Sequence, residues 1–442
     1  RTFPIRFARK SSLYRREITE YTVESVLEIL EYLEKGKVKK EGQRKSVWNP
    51  YMTQGHRRIE WGSDTTQDVL RKVYASDSQP GTLCSIKGEE VLLFNAYPED
   101  YLRGRPGELL AIRDEAICMA TQDGAIWITH MRKAEKGSIK LPSARVIPYL
   151  LKGVKEEPLK PWERVDFRTY REIVYEEEKG IGYISFNFYN GAMSTEQCQR
   201  LLEVIKYAKK RPIKAIVLLG QDDFFSNGMN LNTIESSESP ADESWRNINA
   251  MDDVCEEILR TEDRITVAGM QGNAGAGGFF LALTCDFVFA RDGSVFNPHY
   301  KNIGNIYGSE FWTYTLPKRV GWEKGKEIME NRMPISSKVA HRYGLIDGVF
   351  GKTPQEFIEG LKNWLKEFTD SRAWEKLIKE KRERKIEKLL HLYREEELER
   401  MKLNFYGFDT SYHIARYYFV KRVLPFRTPP YLAIHRRLRS MP

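Results

Sequence analysis

Two glycine-containing stretches, FFSNGMNLN at residues 224–232 and GNAGAGGFFLALTCDFVFA at residues 272–290, decide the fold class of this chain. Each follows an apolar run typical of a buried strand, and the second leads directly into a helix-like segment. Glycine lets the backbone approach a ligand closely, and the N-terminus of a helix presents unpaired N–H groups. Two such N–H groups aimed at one point can hold a carbonyl oxygen. On spacing alone, two tight turns of an ordinary α/β fold explain the pattern as well.

Strands and helices alternate around these stretches. Ser194, with Gln197 three residues later, forms the capping box expected at the start of a helix. Alternation at this length predicts right-handed βαβ units and therefore an α/β domain. The predicted strands are 180–188, 213–220, 265–270 and 286–290, and the predicted helices are 194–211, 245–260 and 279–284.

The N-terminal third has a different pattern. Residues 11–35 keep apolar side chains at helical spacing and predict one amphipathic helix that ends before Gly36. A second helix is predicted near residues 65–75. Short apolar runs separated by Gly, Pro and charged turns then predict a small OB-like β-barrel. These runs are 82–88, 89–97, 108–113, 116–121 and 125–131.

The C-terminal segment is strongly charged and has a helical pattern. Residues 373–402 carry one apolar stripe, which predicts a single long docking helix with a solvated opposite face. The chain is therefore predicted to have five parts. They are a terminal helix (1–45), a β-barrel (46–150), a linker (151–170), an α/β domain (171–360) and a helical basic extension (361–442).

Charge is distributed unevenly over the 442 residues, whose formal net charge is +9. Residues 1–50 and 361–442 have net charges of +5 and +9, whereas residues 51–360 have a net charge of −5. Basic ends of this kind could contact nucleic acid, an anionic membrane or a phosphorylated ligand. Because the body of the chain is acidic, nucleic acid is not the expected partner.

The cysteines and histidines indicate the compartment. The five cysteines and seven histidines make no metal-ligand spacing, so we expect no metal site. A low, odd number of cysteines favours a reduced compartment, and we expect a cytoplasmic protein. The longest apolar run, residues 274–285, is too short to span a bilayer, and the N-terminus lacks the apolar core of a signal peptide. No membrane partner is therefore expected.

The two glycine stretches resemble the turns that supply the oxyanion N–H groups in the crotonase (enoyl-CoA hydratase/isomerase) superfamily. SVFNPHYKNIGNIYG (294–308) and RVGWEKGKEIMENRMPISSKVAHRYGLIDGVF (319–350) resemble the next two segments of that family, in the same order. The resemblance covers about residues 171–352 and implies a crotonase-like ββα spiral with a coenzyme A thioester as ligand. It also implies that the amides of Met229 and Gly277 hold the thioester carbonyl.

The chain departs from the hydratases of that family at two positions. Phe280 and Tyr300 stand where those enzymes place their two catalytic glutamates. Adding water to a double bond needs carboxylates for acid–base work, so ordinary hydratase activity is not expected. Glu310, in IYGSEFW, offers a carboxylate flanked by aromatic residues, and burial there would raise its pKa. Tyr300 and Glu310 are therefore the candidate catalytic pair, although a Tyr–Glu hydrogen bond that only holds a loop explains the same residues.

The N-terminal third resembles a second family. Residues 11–36 resemble the last helix of the catalytic domain of methionyl-tRNA formyltransferases. Residues 57–96 resemble their C-terminal β-barrel, notably in the IEW, the helix and the PGT turn. The Asn, His and Asp that catalyse formyl transfer in that family cannot be placed in this sequence, and we expect the chain to begin after them.

The order of the two parts resembles that of a family of hydrogenase maturation proteins that make the carbon monoxide ligand of NiFe hydrogenase. The resemblance implies that an upstream domain passes the formyl group of 10-formyltetrahydrofolate to coenzyme A. It also implies that the crotonase-like domain, acting as a lyase, splits formyl-CoA into CO and CoA. Other hydrogenase maturation proteins would then receive the CO.

CoA carries phosphate groups, and the basic ends of the chain supply candidate contacts for them. Arg15 and Arg16 lie near the predicted start of a helix, where anions are favoured. Arg427 lies in the basic tail, after Lys421 and Arg422. A solvated charged surface explains each of these residues more simply.

Three other functions stay open on sequence alone: an enzyme acting on longer acyl-CoA thioesters, a CoA-binding scaffold without catalysis, and an RNA-binding protein. Turnover of formyl-CoA against crotonyl-CoA separates the first two from the CO-forming reaction. Salt-dependent retention on tRNA would indicate the third.

Overall fold

The structure, a computed structural model, describes residues 2–37, 42, 47–384 and 387–424. The chain forms two compact units, one of residues 1–159 and 164–170 and the other of residues 160–163 and 171–442. Among the described residues, no helix combines the length and the apolar character needed to cross a membrane.

The first unit begins with the helix that the amphipathic pattern predicts. Its consecutive segments are Lys10–Leu13, the π-helical Tyr14–Ile18 and Thr19–Glu34. The apolar stripe of the last segment, which includes Leu27 and Leu33, is exposed. This helix is therefore amphipathic as predicted, but its last segment adds no side chain to a core.

All five strands predicted for the first unit are present in one sheet. A helix, Thr66–Ser76, precedes them and begins where the Thr65 hydroxyl accepts a hydrogen bond from the Asp68 N–H. The strands are β1 Thr82–Ile86, β2 Glu89–Glu99, β3 Leu109–Arg113, β4 Ala116–Ala120, β5 Ala125–Lys133, β6 Leu141–Pro142 and β7 Lys155–Glu156. They pair in the order β1-β2-β5-β4-β3-β7, with β6 also on β5. The short helices of this unit are Gln54–Arg57, Ser143–Val146 and Pro148–Leu150.

The second unit is built on a six-stranded sheet with two small sheets beside it. Its strands are β8 Ile173–Glu178, β9 Ile181–Phe186, β10 Ala192–Met193, β11 Ala215–Leu219, β12 Gly228–Met229, β13 Ile265–Met270, β14 Ala274–Gly275, β15 Phe287–Arg291, β16 Val295–Asn297, β17 Ile335–Ser336 and β18 Gly348–Phe350. The main sheet has the order β18-β15-β13-β11-β9-β8. Only β8 runs antiparallel to its neighbour, so the predicted α/β class is confirmed.

Helices cover both faces of this sheet. Ser194 caps its helix as predicted, since its hydroxyl accepts a hydrogen bond from the Gln197 N–H. The helix predicted over 245–260 begins earlier, at Pro240, where the proline occupies the first turn. The helices that precede the C-terminal segment are Tyr189–Gly191, Thr195–Lys209, Leu231–Glu235, Pro240–Leu259, Gly277–Leu283, Trp312–Val320, Trp322–Asn331, Ser337–Arg342 and Pro354–Thr369.

The C-terminal segment forms three helices, Arg372–Glu383, Glu387–Tyr406 and Ser411–Lys421, so the prediction of a single helix over 373–402 is wrong. Arg384 adopts an extended backbone conformation and ends the first of them. The reason lies in the packing. Ile378 joins the core on one face of the main sheet, whereas Leu390 and Met401 join the core on the opposite face. The apolar stripe thus serves two surfaces that one straight helix does not reach.

Candidate active site

The two glycine stretches lie side by side in the second unit. The Phe225 N–H donates to the Asn273 carbonyl at 2.8 Å, and the Gly275 N–H donates to the Ser226 carbonyl at 3.0 Å. A Cβ added to Gly228 would lie 3.2 Å from the Gly277 nitrogen. The folded chain therefore brings together the two turns that the sequence predicts to form one carbonyl-binding site.

The amide of Gly277 is available to a ligand because of its place in the helix. Gly277 is the first residue of Gly277–Leu283, and an N–H at that position has no partner within its own helix. Ala276, just before it, has a φ of +46°, an unusual value for a residue with a side chain. This sharp turn sets the direction in which the helix presents its first N–H.

Met229 ends the short strand β12, which pairs on one edge with β10. The next N–H along, that of Asn230, donates to the Met193 carbonyl of β10 at 3.0 Å. Because successive N–H groups of an extended chain point to opposite sides, the Met229 N–H points away from β10. Met229 and Gly277 thus lie in adjoining turns. The Met229 N–H points away from strand β10, and the Gly277 N–H has no partner within its own helix.

Tyr300 and Glu310 form a buried hydrogen-bonded pair. The Tyr300 hydroxyl donates to Oε2 of Glu310 at 2.5 Å and also lies 2.8 Å from the Ser309 carbonyl. The two side chains are 5% and 1% exposed, respectively. A hydrogen bond between two such buried groups is strong, since no water competes for either partner.

The Glu310 carboxyl lies against the second glycine stretch. A Cβ added to Gly277 would stand 2.0 Å from Oε1 of Glu310, so any larger residue there would displace that carboxyl. The candidate carboxylate therefore lies against the backbone of the residue that carries the candidate carbonyl-binding amide. Of the residues singled out from sequence, the structure brings together Gly277, Tyr300 and Glu310, with Met229 in the adjoining turn.

The protonation of Glu310 is strongly perturbed. Burial, together with the neighbouring Asp252 carboxyl, raises the pKa of Glu310 to about 8, while the hydrogen bond from Tyr300 acts in the opposite direction. Burial and the adjacent Glu310 raise the pKa of Tyr300 as well. A carboxyl with a pKa near neutrality can both accept and return a proton at physiological pH.

Phe280 and Gly308 fix the Tyr300 ring. The Phe280 and Tyr300 rings stack with centroids 5.1 Å apart and an interplanar angle of 15°. A Cβ added to Gly308 would lie only 2.1 Å from the Cδ2 atom of Tyr300, so the Gly308 backbone lies close to the tyrosine ring. Phe280 therefore provides an aromatic surface for Tyr300.

Three polar residues of this site were missed from sequence: Asp252, Ser309 and Glu397. The Ser309 hydroxyl donates to Oδ2 of Asp252 at 2.8 Å and lies 3.3 Å from Oε2 of Glu397. Asp252 and Glu397 are fully buried on helices otherwise remote in sequence. The sequence carries a signal for the burial of Glu397, because this residue lies at helical spacing from Tyr393 and Met401 on the apolar stripe.

Two of the three arginines proposed to bind the CoA phosphates lie among the described residues. Arg15 and Arg16 lie in the first unit, in the π-helical segment Tyr14–Ile18. The helix begins at Lys10, so Arg15 and Arg16 lie in its second turn, near its N-terminus, where its dipole favours an anion only weakly. Arg427 lies outside the described residues.

Two family matches agree with this geometry. The enoyl-CoA hydratase/isomerase family matches residues 176–422, and the formyl transferase C-terminal domain matches residues 51–144. Hydrogenase maturation factor HoxX from Bradyrhizobium diazoefficiens is 41% identical over 448 residues, which covers 100% of this chain and 78% of HoxX.

Two solved structures show the same relationship. The crystal structure of HypX from Aquifex aeolicus in complex with tetrahydrofolic acid is 70% identical, with a TM-score of 0.97, and the match covers 100% of this chain and 79% of that one. The crystal structure of enoyl-CoA hydratase from Bacillus halodurans is 24% identical, with a TM-score of 0.50. The match covers 56% of this chain and 99% of the hydratase, and it shows the shared fold alone.

The chain therefore belongs to the enoyl-CoA hydratase/isomerase family, and a formyl transferase C-terminal domain precedes its crotonase-like domain. Within that class it belongs to the HypX/HoxX hydrogenase maturation factors. The crotonase-like fold and the hydrogenase maturation family expected from the sequence are both confirmed.

Proposed function

We propose that the crotonase-like domain converts formyl-CoA into carbon monoxide and CoA. The observation that carries the proposal is the buried 2.5 Å hydrogen bond between Tyr300 and Glu310, in contact with Gly277. A carboxyl with a raised pKa, next to an amide suited to a thioester carbonyl, is equipped to move a single proton. Moving one proton is the acid–base work that this reaction requires.

The reaction is balanced without any other reactant. The C–H and C–S bonds of the formyl carbon break, and the electrons of the C–H bond stay on carbon as the lone pair of CO. Sulfur leaves with the electrons of the C–S bond and receives the proton that carbon has lost. Formyl-CoA thus gives CO and the free thiol of CoA, with no oxidant, reductant or water consumed.

From these contacts we infer a role for each group. Glu310 lies against Gly277, so in its ionised form it takes the proton of a formyl group held on that amide. Tyr300 gives its hydroxyl proton to the departing sulfur and recovers one from Glu310 through their hydrogen bond. The amides of Met229 and Gly277 mainly orient the carbonyl, because its oxygen gains little negative charge on the way to CO.

The packing around the pair favours a small acyl group. Phe280 is fully buried and stacked on Tyr300, so aromatic rings fill the space beside the proposed proton-transfer pair. The alternative, a crotonase-type enzyme for larger acyl-CoA thioesters, requires these rings to move. A CoA-binding or RNA-binding scaffold without catalysis gives no reason for a buried carboxyl of raised pKa.

The formyl group is proposed to come from 10-formyltetrahydrofolate through a formyltransferase domain. Two findings support a folate donor: the formyl transferase C-terminal domain in this chain, and the HypX relative crystallised with tetrahydrofolic acid. The CO is proposed to pass to other hydrogenase maturation proteins in the cytoplasm. Five free, buried cysteines are compatible with that reducing compartment.

Arg15, Arg16 and Arg427 are proposed to hold CoA phosphates, on the basis of the basic ends of the chain. Arg15→Glu and Arg427→Glu should each weaken CoA binding in titration calorimetry. CoA affinity equal to that of the unaltered protein would remove that arginine from the site.

The experiment that tests the proposed function supplies formyl-CoA to the full-length protein and measures CO. Tyr300→Phe and Glu310→Gln should each lower the rate by roughly 10²–10⁴-fold, the usual contribution of a general acid or base. Tyr183→Phe removes a tyrosine hydroxyl from the core on the opposite face of the main sheet, and this control variant should leave the rate unchanged. Full activity in both site variants, or faster turnover of crotonyl-CoA than of formyl-CoA, would contradict the proposal.

A further inference from the structure

The loop that carries Glu310, here called the site loop (Tyr307–Thr313), has an unusual backbone. Glu310 has a φ of +59° and Phe311 a φ of +57°, so two consecutive residues with side chains adopt left-handed conformations. Such a conformation persists only where its surroundings hold it in place. The contacts of this loop should therefore show what keeps the Glu310 carboxyl against Tyr300 and Gly277.

Two buried carboxyls accept the N–H groups of the site loop. Asp252 accepts from the Glu310 N–H at 2.9 Å. Glu397 accepts from the Phe311 N–H at 2.9 Å on Oε2 and from the Thr313 N–H at 2.8 Å on Oε1, and the Thr313 hydroxyl also donates to Oε1. Both oxygens of Glu397 are therefore used, and both of the left-handed residues have their N–H groups bound by a carboxyl.

Glu397 comes from the C-terminal helix Glu387–Tyr406, here called the closing helix. The same helix also accepts the Tyr307 N–H on the Asn404 side-chain oxygen at 2.9 Å. Met401 lies with its sulfur 3.1 Å from the Gly308 nitrogen. One face of the closing helix thus contacts the site loop through three residues about one turn apart, Glu397, Met401 and Asn404, with Glu397 at the residues that follow Glu310.

We propose that Glu397 is a positioning residue for the formyl-CoA reaction: through the backbone of the site loop it holds the Glu310 carboxyl in reach of Tyr300 and of the thioester. This inference rests on the proposed function. Glu397 touches neither Tyr300 nor Gly277 in the hydrogen bonds described, so its contacts act through Ser309, Phe311 and Thr313. It follows that the closing helix is part of the catalytic domain and not a separate appendage.

The chemistry of the contact explains why a carboxylate is needed there. Glutamine has nearly the same shape but only one oxygen, so its NH₂ group would face a backbone N–H. Two donors facing each other in a buried place leave both without a partner, which is unfavourable. Glu397→Gln should therefore displace the site loop without leaving a cavity.

Charge gives a second, independent readout. Burial raises the pKa of Glu397, and repulsion from the Asp252 and Glu310 carboxyls adds to that shift. Where Glu397 is ionised, its replacement by glutamine therefore makes ionisation of Glu310 easier. The titratable and charged groups around Glu310 are Tyr300, Asp252, Glu397, Cys198 and Cys255, with Arg394 acting on Asp252. Only Glu397 is altered in the variant, so a shift of the pH profile reports on its electrostatic interaction with Glu310.

The test compares Glu397→Gln with Glu399→Gln, an exposed glutamate of the same helix, in the full-length protein. Glu397→Gln should lower kcat for CO release about 10- to 100-fold with KM for formyl-CoA within about twofold, and should move the pH midpoint of kcat downward. Hydrogen exchange at the amides of Phe311 and Thr313 should speed up. Glu399→Gln should match the unaltered protein in all four measurements.

Several outcomes would overturn the inference. An unchanged kcat in Glu397→Gln does so, and so does a fall in kcat with neither a pH shift nor faster exchange. If Glu397→Gln does not fold, Thr313→Val decides, because it removes only the hydroxyl contact to Glu397. A several-fold lower kcat at constant KM then supports the inference, and an unchanged kcat overturns it. Absence of CO formation by the unaltered protein would instead reject the proposed function, and the exchange measurement would still test the contact.

Discussion

The Glu310 carboxyl lies directly against the backbone of Gly277, so closely that a Cβ on that glycine would stand 2.0 Å from Oε1 of Glu310. This contact joins the two halves of the proposed site. Gly277 offers an amide for the thioester carbonyl, and Glu310 offers a carboxyl for the formyl proton.

Gly277→Ala should abolish CO formation while leaving most of the fold intact. The added methyl group would occupy the place of the Glu310 carboxyl, which must rotate away from Tyr300 and from the substrate. Because the pair acts by proton transfer, we expect a loss of roughly 10²-fold or more in kcat. The measurement is CO release from formyl-CoA, with the melting temperature recorded in parallel.

Gly62→Ala is the matched control for that variant, since a Cβ there meets no atom within 4 Å. It should be as active as the unaltered protein. Activity of Gly277→Ala within a few fold of the control would show that the carboxyl does not need to lie where it does.

The rate of CO formation should rise with pH and level off above about pH 8. Glu310 must be ionised to accept the formyl proton, and its pKa is raised to about 8 by burial and by Asp252. Asp252→Asn removes a carboxyl charge but can still accept the Glu310 N–H, so the midpoint of the pH profile should move to lower pH. A midpoint near the ordinary value for glutamate in the unaltered protein would be incompatible with a buried base.

Stability should depend on the same proton. In the unfolded chain Glu310 releases its proton near pH 4.5, whereas in the folded protein it keeps the proton up to about pH 8. Between these values the folded state binds more protons, so the free energy of unfolding falls as the pH rises. Glu310→Gln removes this dependence. The melting temperature of this variant minus that of the unaltered protein should therefore increase between about pH 5 and about pH 8.5. Equal pH dependence in the two proteins would mean that Glu310 titrates normally.

Phe280→Leu should lower kcat more than its effect on stability explains. The leucine no longer stacks on the Tyr300 ring, so the hydroxyl loses its fixed direction toward Glu310. Phe279→Leu is the matched control because that ring is equally buried on the same helix and contacts Phe280 and Phe296 instead. Both variants should lose about 1–3 kcal/mol of stability from the smaller core side chain. Equal rates in the two variants would argue against a role for the stacked ring.

Much of the fold could be predicted because its signals are local. Strands such as β11 and β13 are short apolar runs bounded by turns, and Ser194 with Gln197 forms a capping box that depends on four consecutive residues. Tyr300 and the pair of glycine stretches were identified through the resemblance to the crotonase superfamily, and Glu310 because it lies among aromatic residues ten positions after Tyr300. The strands and the helix cap were predicted from neighbours in the chain alone.

The partners of Glu310 could not be predicted in the same way. In REEELER at residues 394–400, four glutamates are equivalent by composition, and Glu397, the buried one, differs from the others only in its helical spacing from Tyr393 and Met401. The break at Arg384 likewise follows from the two faces of the main sheet, which sequence periodicity does not reveal. Contacts between residues separated by more than fifty positions decided both features.

The central claim is that the Tyr300–Glu310 pair removes the formyl proton and releases CO. The most direct measurement supplies the full-length protein with ¹³C-formyl-CoA, and compares the unaltered protein with Glu310→Gln while following labelled CO, labelled formate and free CoA. The account predicts that the unaltered protein releases labelled CO and CoA in equal amounts, and that Glu310→Gln loses this activity. Labelled formate in place of CO, or undiminished CO release by Glu310→Gln, would contradict it.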